Sequence, residues 1–163
     1  MSDPKQGLTV ERTYRATARE IWELWTTREG FESWWGPEGF RVEVHELDAR
    51  VGGALRYDMI AHAPEVIAEM KRLGEPLSHK TRGTYSELQP MRRLVLTHVI
   101  DFLPGVTPYE STMGVELFPA GDTVRMVVTL SPMHNPEFTR MQKEGFTSQL
   151  SKLDKRYGAH TGR

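Results

Sequence analysis

Between residues 40 and 130 the chain is a succession of short segments in which apolar and polar residues alternate, each closed by a turn signal. A long amphipathic stretch follows them. This pairing constrains the fold more than any other feature, because consecutive half-buried strands with short links form an antiparallel meander. The strand segments are 41–47, 54–60, 81–88, 93–102, 111–118 and 123–130. Gly52-Gly53, Gln89-Pro90, Leu103-Pro104-Gly105 and Pro119-Ala120-Gly121-Asp122 punctuate them. Asn135 as N-cap and Pro136 at the first helical position open the final helix, 135–157. Phe138, Met141, Gly145 and Gln149 form one line along it, and Phe146, Leu150, Leu153 and Tyr157 form the neighbouring line. Such a face has to be covered, and a curved sheet is the available partner.

Upstream, Leu8, Val10 and Tyr14 alternate as a first strand. Thr17 with Glu20 three residues on is a capping-box pattern, and Ile21, Leu24 and Trp25 share one helical stripe. A second short helix is expected over 28–35, stopped by Gly36-Pro37. Between the second and third strands of the meander, 64–73 carries Val66, Ile67, Met70 and Leu73 on one stripe, with Gly74 as a stop. The order strand, two short helices, six strands and a long helix is that of an α+β domain. It predicts one domain over 8–157 with flexible ends, 1–7 and 158–163.

A chain of 163 residues buries about two-thirds of its extended surface, enough for a core and a cavity. Its 21 Lys and Arg against 22 Asp and Glu leave no basic excess for a phosphate backbone, so no nucleic-acid partner is expected. There is no cysteine, which excludes disulfides, thiolate metal sites and a thiol nucleophile. The six histidines, His45, His62, His79, His98, His134 and His160, form no metal-ligand spacing, and no metal or other cofactor is expected. No apolar segment follows Lys5 as a secretory signal requires, and nothing approaches a membrane span. A cytoplasmic protein with no membrane partner is the expectation.

The motifs carry a resemblance. Arg15-Ala16-Thr17-Ala18-Arg19-Glu20-Ile21-Trp22 resembles the opening of SRPBCC (START-like) domains, and Trp34-Trp35-Gly36-Pro37 resembles the Trp-rich end of their second helix. Glu46-Leu47-Asp48-Ala49-Arg50-Val51-Gly52-Gly53 is similar to the branch of activators of the 90-kDa heat-shock protein ATPase. Gly83-Thr84-Tyr85-Ser86-Glu87-Leu88-Gln89-Pro90 and Arg93-Leu94-Val95-Leu96-Thr97 resemble that branch's middle strands. The resemblance spans 8–157 and implies a helix-grip fold, in which a bent antiparallel sheet holds the C-terminal helix. The inserted helix at 64–73 is longer than the hairpin of many relatives.

Within such a fold the strand at 93–102 is the most informative. Alternation puts His98 with Leu94, Leu96, Ile100 and Phe102 on the face turned to the helix, and Asp101 on the other. An inward imidazole, whose ordinary pKa is about 6.5, can donate to a ligand or exchange a proton; it can also be a buried neutral core histidine. Tyr57 and Tyr85 are candidates for fixing a polar ligand atom or for satisfied core positions. Met59, Met113, Met126 and Met141 suit a pocket of adaptable shape and serve equally as core filling. With Phe138 these residues make the expected lining: Tyr57, Met59, Tyr85, His98, Met113, Met126, Phe138 and Met141.

Three functions follow as expectations. The first is binding of a small apolar or amphipathic molecule between the sheet and the last helix, with 64–73 as a lid. The second, implied by the resemblance, is a co-chaperone-like partner of the 90-kDa heat-shock protein. The third, again from the superfamily, is a cyclase- or lyase-type enzyme with His98 as acid/base. A homodimer is the ordinary expectation for oligomeric state, with no residue-level argument behind it.

Overall fold

The structure is a computed structural model that describes residues 8–101 and 105–158. Of the expected tails, 1–7 and 158–163, all but Gly158 lie outside the described residues, as do Phe102 and the Leu103-Pro104 part of the turn; His160 falls in the second tail. The elements are β1 (Leu8–Tyr14), α1 (Ala18–Thr26), α2 (Arg28–Glu32), β2 (Phe40–Leu47), β3 (Ala54–Ala61) and α3 (Pro64–Leu73). They continue as β4 (Ser78–Gln89), β5 (Arg93–Ile100), β6 (Tyr109–Ala120), β7 (Thr123–Leu130) and α4 (Pro136–Tyr157).

The seven strands form one antiparallel sheet in the order β1-β7-β6-β5-β4-β3-β2. The meander from β2 to β7 is therefore sequential, and β1 closes on β7. Bulges interrupt the registers between Val44 and Glu46 on β2 and between Tyr85 and Glu87 on β4. Each inserts a residue and bends its strand, which curves the sheet toward the helix. Among the described residues no helix is long and apolar enough to cross a membrane.

Local chemistry explains the helices. Thr17 and Glu20 form the reciprocal capping box that starts α1, and the Asn135 side chain accepts the Phe138 amide at the start of α4. α2 stops at Glu32, earlier than the 28–35 expected. The two indoles that follow, both buried, are claimed by different partners: Trp34 Nε1 donates to the Leu24 carbonyl at 2.9 Å and Trp35 Nε1 to the Tyr57 hydroxyl at 3.0 Å. The core is an aromatic layer of Trp25, Trp34, Trp35, Phe31 and Phe146 over the aliphatic face of the sheet.

α4 is fastened most firmly along its second half. Its buried residues are Phe146, Gln149, Leu150 and Leu153. Gln149 Oε1 accepts the Gly36 amide at 2.8 Å, Lys152 Nζ donates to the Gly36 carbonyl at 2.8 Å, and Tyr14 donates to Asp154 at 2.9 Å. Of the expected second line, Phe146, Leu150 and Leu153 are buried and Tyr157 is half-buried; of the first line, Phe138 is half-buried and Met141 is 50% exposed.

α3 is present over 64–73, but it buries none of its residues. It sits on Gly39, whose carbonyl accepts the His62 and Ala63 amides. Gly39 has φ +91°, and a Cβ there would lie 2.5 Å from a Val66 methyl, so only glycine allows this seat.

Candidate functional site

Beneath the first half of α4 the inner faces of β3, β4, β5 and β6 leave a cavity of about 340 Å³. The structure brings Tyr57, Met59, His98, Met113, Phe138 and Met141 to its wall. The other two expected lining residues are elsewhere. Tyr85 is fully buried and donates to the Trp25 carbonyl at 2.6 Å, and Met126 packs in the core on β7. Both point inward as alternation requires, yet at positions that the second half of α4 and the aromatic layer already cover. No α3 residue lines the cavity, so the lid expected at 64–73 has no contact with the space it was to close.

The polar end of the cavity is organised by a chain of three rings. Tyr57 accepts a hydrogen bond from Trp35 Nε1 at 3.0 Å, and its oxygen lies 3.1 Å from His98 Nε2. The roles in this second contact follow the imidazole tautomer: with Nε2 protonated it donates to the phenol, and with Nε2 bare it accepts the phenolic proton and the ring proton sits on Nδ1. That second nitrogen has no hydrogen-bond partner among the described residues. Burial lowers the His98 pKa to about 4 and pushes the Tyr57 phenol above its ordinary value. Both groups are neutral at pH 7.

The imidazole fits because the strand opposite yields. His98 pairs with Gly83 on β4, where a Cβ would meet the Thr97 carbonyl at 2.8 Å and His98 Cδ2 at 3.5 Å. On its other side His98 pairs with Ser111 on β6. Gln142 of α4 reaches down to that serine: its Nε2 donates to Ser111 Oγ at 3.5 Å, while its Oε1 is sealed from water without a partner among the described residues.

Trp35, His79, Thr81, Ile100, Ser111, Met133 and Gln142 also line the space and were absent from the expected set. Part of the signal was available. His79 and Thr81 continue the parity of Gly83 and Tyr85, and Gln142 lies one turn after Phe138. Asp101 lies on the outer face, paired with Arg82 at 2.9 Å, away from His98. A wider hollow of about 550 Å³ on that outer face is bordered by His45, Arg56, Asp58, Lys80, Arg82 and Asp101. Two pairs within it are internal, His45–Asp58 at 3.0 Å and Arg82–Asp101 at 2.9 Å, while Arg56 turns to Glu46 at its edge. Among the described residues no three His, Asp or Glu side chains converge as a metal site.

The comparisons agree with the fold. A family profile described as Activator of Hsp90 ATPase homolog 1-like protein matches residues 15–158. A solved protein of Chromobacterium violaceum is 23% identical and covers 95% of this chain and 98% of its own, with a TM-score of 0.71. The AHSA1 protein of Silicibacter pomeroyi is 22% identical over 91% of this chain and 95% of its own, with a TM-score of 0.70. A Staphylococcus epidermidis protein is 16% identical over 97% and 93%, with a TM-score of 0.72. At these identities the likeness is one of fold. No curated protein matches the sequence.

Proposed function

Because the chain belongs to the Activator of Hsp90 ATPase homolog 1-like family, with its helix-grip fold, we propose that it binds a small, mostly apolar molecule between the sheet and α4. The observation that carries this reading is the cavity itself: a space of about 340 Å³ walled largely by methionine, aromatic and aliphatic side chains, with the hydrogen-bonded Tyr57–His98 pair at its polar end. Ligand sites are commonly built this way, apolar in area and polar at a few fixed atoms. Methionines add a wall that repacks around guests of different outline.

The test compares native with denaturing mass spectra of the purified protein after exposure to extract of its own cells. A non-covalent adduct present only under native conditions, and lost in His98→Leu, is the expected result. Absence of any adduct, together with no displacement of an apolar fluorescent dye, rejects the reading.

The family description favours a second reading, a co-chaperone-like role on the 90-kDa heat-shock protein. Stimulation of that chaperone's ATPase by the purified chain supports it; an unchanged ATPase rate rejects it. The acid/base alternative is less well supported, since Nε2 of His98 is engaged by Tyr57 and its lowered pKa makes it a poor base.

A further inference from the structure

We infer that His98 reads the polar head of a bound molecule through one nitrogen of reversible character: Nδ1 donates to a carbonyl or accepts from an N–H or O–H, the imidazole tautomer following the guest. This inference rests on the ligand-binding reading above and names the head groups that the site takes.

The geometry holds the ring and leaves one of its atoms open. The His98 ring lies within 14° of parallel to the Trp35 indole, with centroids 6.2 Å apart, and its Cδ2 edge is turned to Gly83 on β4. Nε2 is engaged by the Tyr57 oxygen at 3.1 Å. Nδ1 stands on the ring edge away from Cδ2 and has no hydrogen-bond partner among the described residues. Among those residues the unpartnered polar side-chain atoms sealed from water are Trp25 Nε1, Asp58 Oδ1, Gln142 Oε1 and Gln149 Nε2. Nδ1 is not one of them, so it meets open space, and the space that His98 borders is the inner cavity.

The Tyr57 phenol makes both characters of Nδ1 available. Its oxygen accepts from the Trp35 indole at 3.0 Å, and Thr81, directly across on β4, is a further hydrogen-bond partner of the same phenol. In one pattern the phenolic proton goes to Nε2, and the ring proton sits on Nδ1 as a donor. In the other, Nε2–H donates to the phenol, the phenolic proton turns to Thr81, and Nδ1 is a bare acceptor. Each buried group in this relay keeps a partner in both patterns, so neither strands a polar atom. Burial lowers the His98 pKa to about 4, so at pH 7 the ring carries a single proton and one of its nitrogens is bare. Exchange with water moves that proton between the nitrogens without changing the net charge. A backbone carbonyl in the same place would take donors only, and a backbone amide acceptors only. An alcohol and the ketone of the same outline therefore both find a partner here.

The experiment uses the full chain, ¹⁵N-labelled at histidine, and four bicyclic probes of one outline: 1-indanone with an acceptor, indole with a donor, and indane and indene as their apolar counterparts. Calorimetry reads the affinities at pH 7, and long-range ¹H–¹⁵N spectra read which nitrogen of His98 is protonated. Each polar probe is expected to bind roughly three- to tenfold tighter than its counterpart. Nδ1 should be protonated with 1-indanone and bare with indole, so that one complex keeps the tautomer of the free chain and the other reverses it. In His98→Leu both polar advantages should disappear together; the tautomer readings on the parent chain decide the matter even where that variant folds poorly. The same tautomer in both complexes, or a polar advantage confined to one of the two probes, overturns the inference. Polar probes bound no tighter than the hydrocarbons overturn it too, but leave the cavity reading standing. Failure of all four probes to bind removes both.

Discussion

Glu32 accepts the amide of Val44 at 2.7 Å, and Arg28, one helical turn earlier, donates to the carbonyl of the same residue. Val44 lies on β2, an edge strand of the sheet, and these two side chains of α2 occupy the peptide groups that a further strand would otherwise take. Edge strands with free peptide groups are templates for association. Glu32→Ala is therefore expected to cost about 1–2 kcal/mol in chemical denaturation and to raise self-association in light scattering. A variant as stable and as monodisperse as the parent contradicts this role.

Tyr57→Phe removes one oxygen and strands two buried groups, Trp35 Nε1 and His98 Nε2. The expected loss is about 1–3 kcal/mol. A second readout separates the network from simple packing. The ¹⁵N shifts of the His98 ring, expected to report a single tautomer in the parent, should move toward a mixture of tautomers in the variant.

Acidification should expose the buried imidazole. The folded-state pKa of His98 lies at about 4, below the ordinary value of 6.5, so the unfolded chain binds the extra proton between those values. Stability from this group is fully present above about pH 6.5 and is lost as pH falls toward 4, by at most about 3 kcal/mol. Denaturation midpoints measured across that window should slope downward with acid in the parent and lose most of the slope in His98→Gln. Glu38, whose carboxyl is held below its usual range by Ser151 and Lys155, acts only at lower pH.

The two ends of α4 should respond differently to truncation. Phe146→Ala, in the aromatic layer, is expected to cost about 3–5 kcal/mol. Met141→Ala, at a half-exposed position, should stay within about 0.5 kcal/mol. Equal losses at the two sites would show that the helix is seated along its whole length.

Alternation and punctuation were enough to recover the strands and long helices, because each half-buried strand had to show period two and each turn a Gly or Pro. They were weakest where the period breaks. The bulges at His45 and Ser86 turn Leu47 and Leu88 toward the core three residues after Val44 and Tyr85, a spacing that strict alternation assigns to the other face. Facing direction was legible at the site, as for His98 and Met113, but depth was not. Tyr85 and Met126 share the inward parity of Tyr57 and Met113; which of them meets open space depends on how far α4 stays down, and that is set by Gln149, Lys152 and Asp154 contacting residues more than a hundred positions away. The position of Gln142, one turn after Phe138, was legible; its reach to Ser111 across to β6 was not.

The two halves of α4 have separate tasks. The span from Phe146 to Tyr157 is clamped between β1 and the Gly36 loop, and the span from Pro136 to Gly145 lies over the cavity. Substitutions that weigh on the stability of the domain therefore belong to the second span, and those that reshape the cavity wall to Phe138, Met141 and Gln142 in the first.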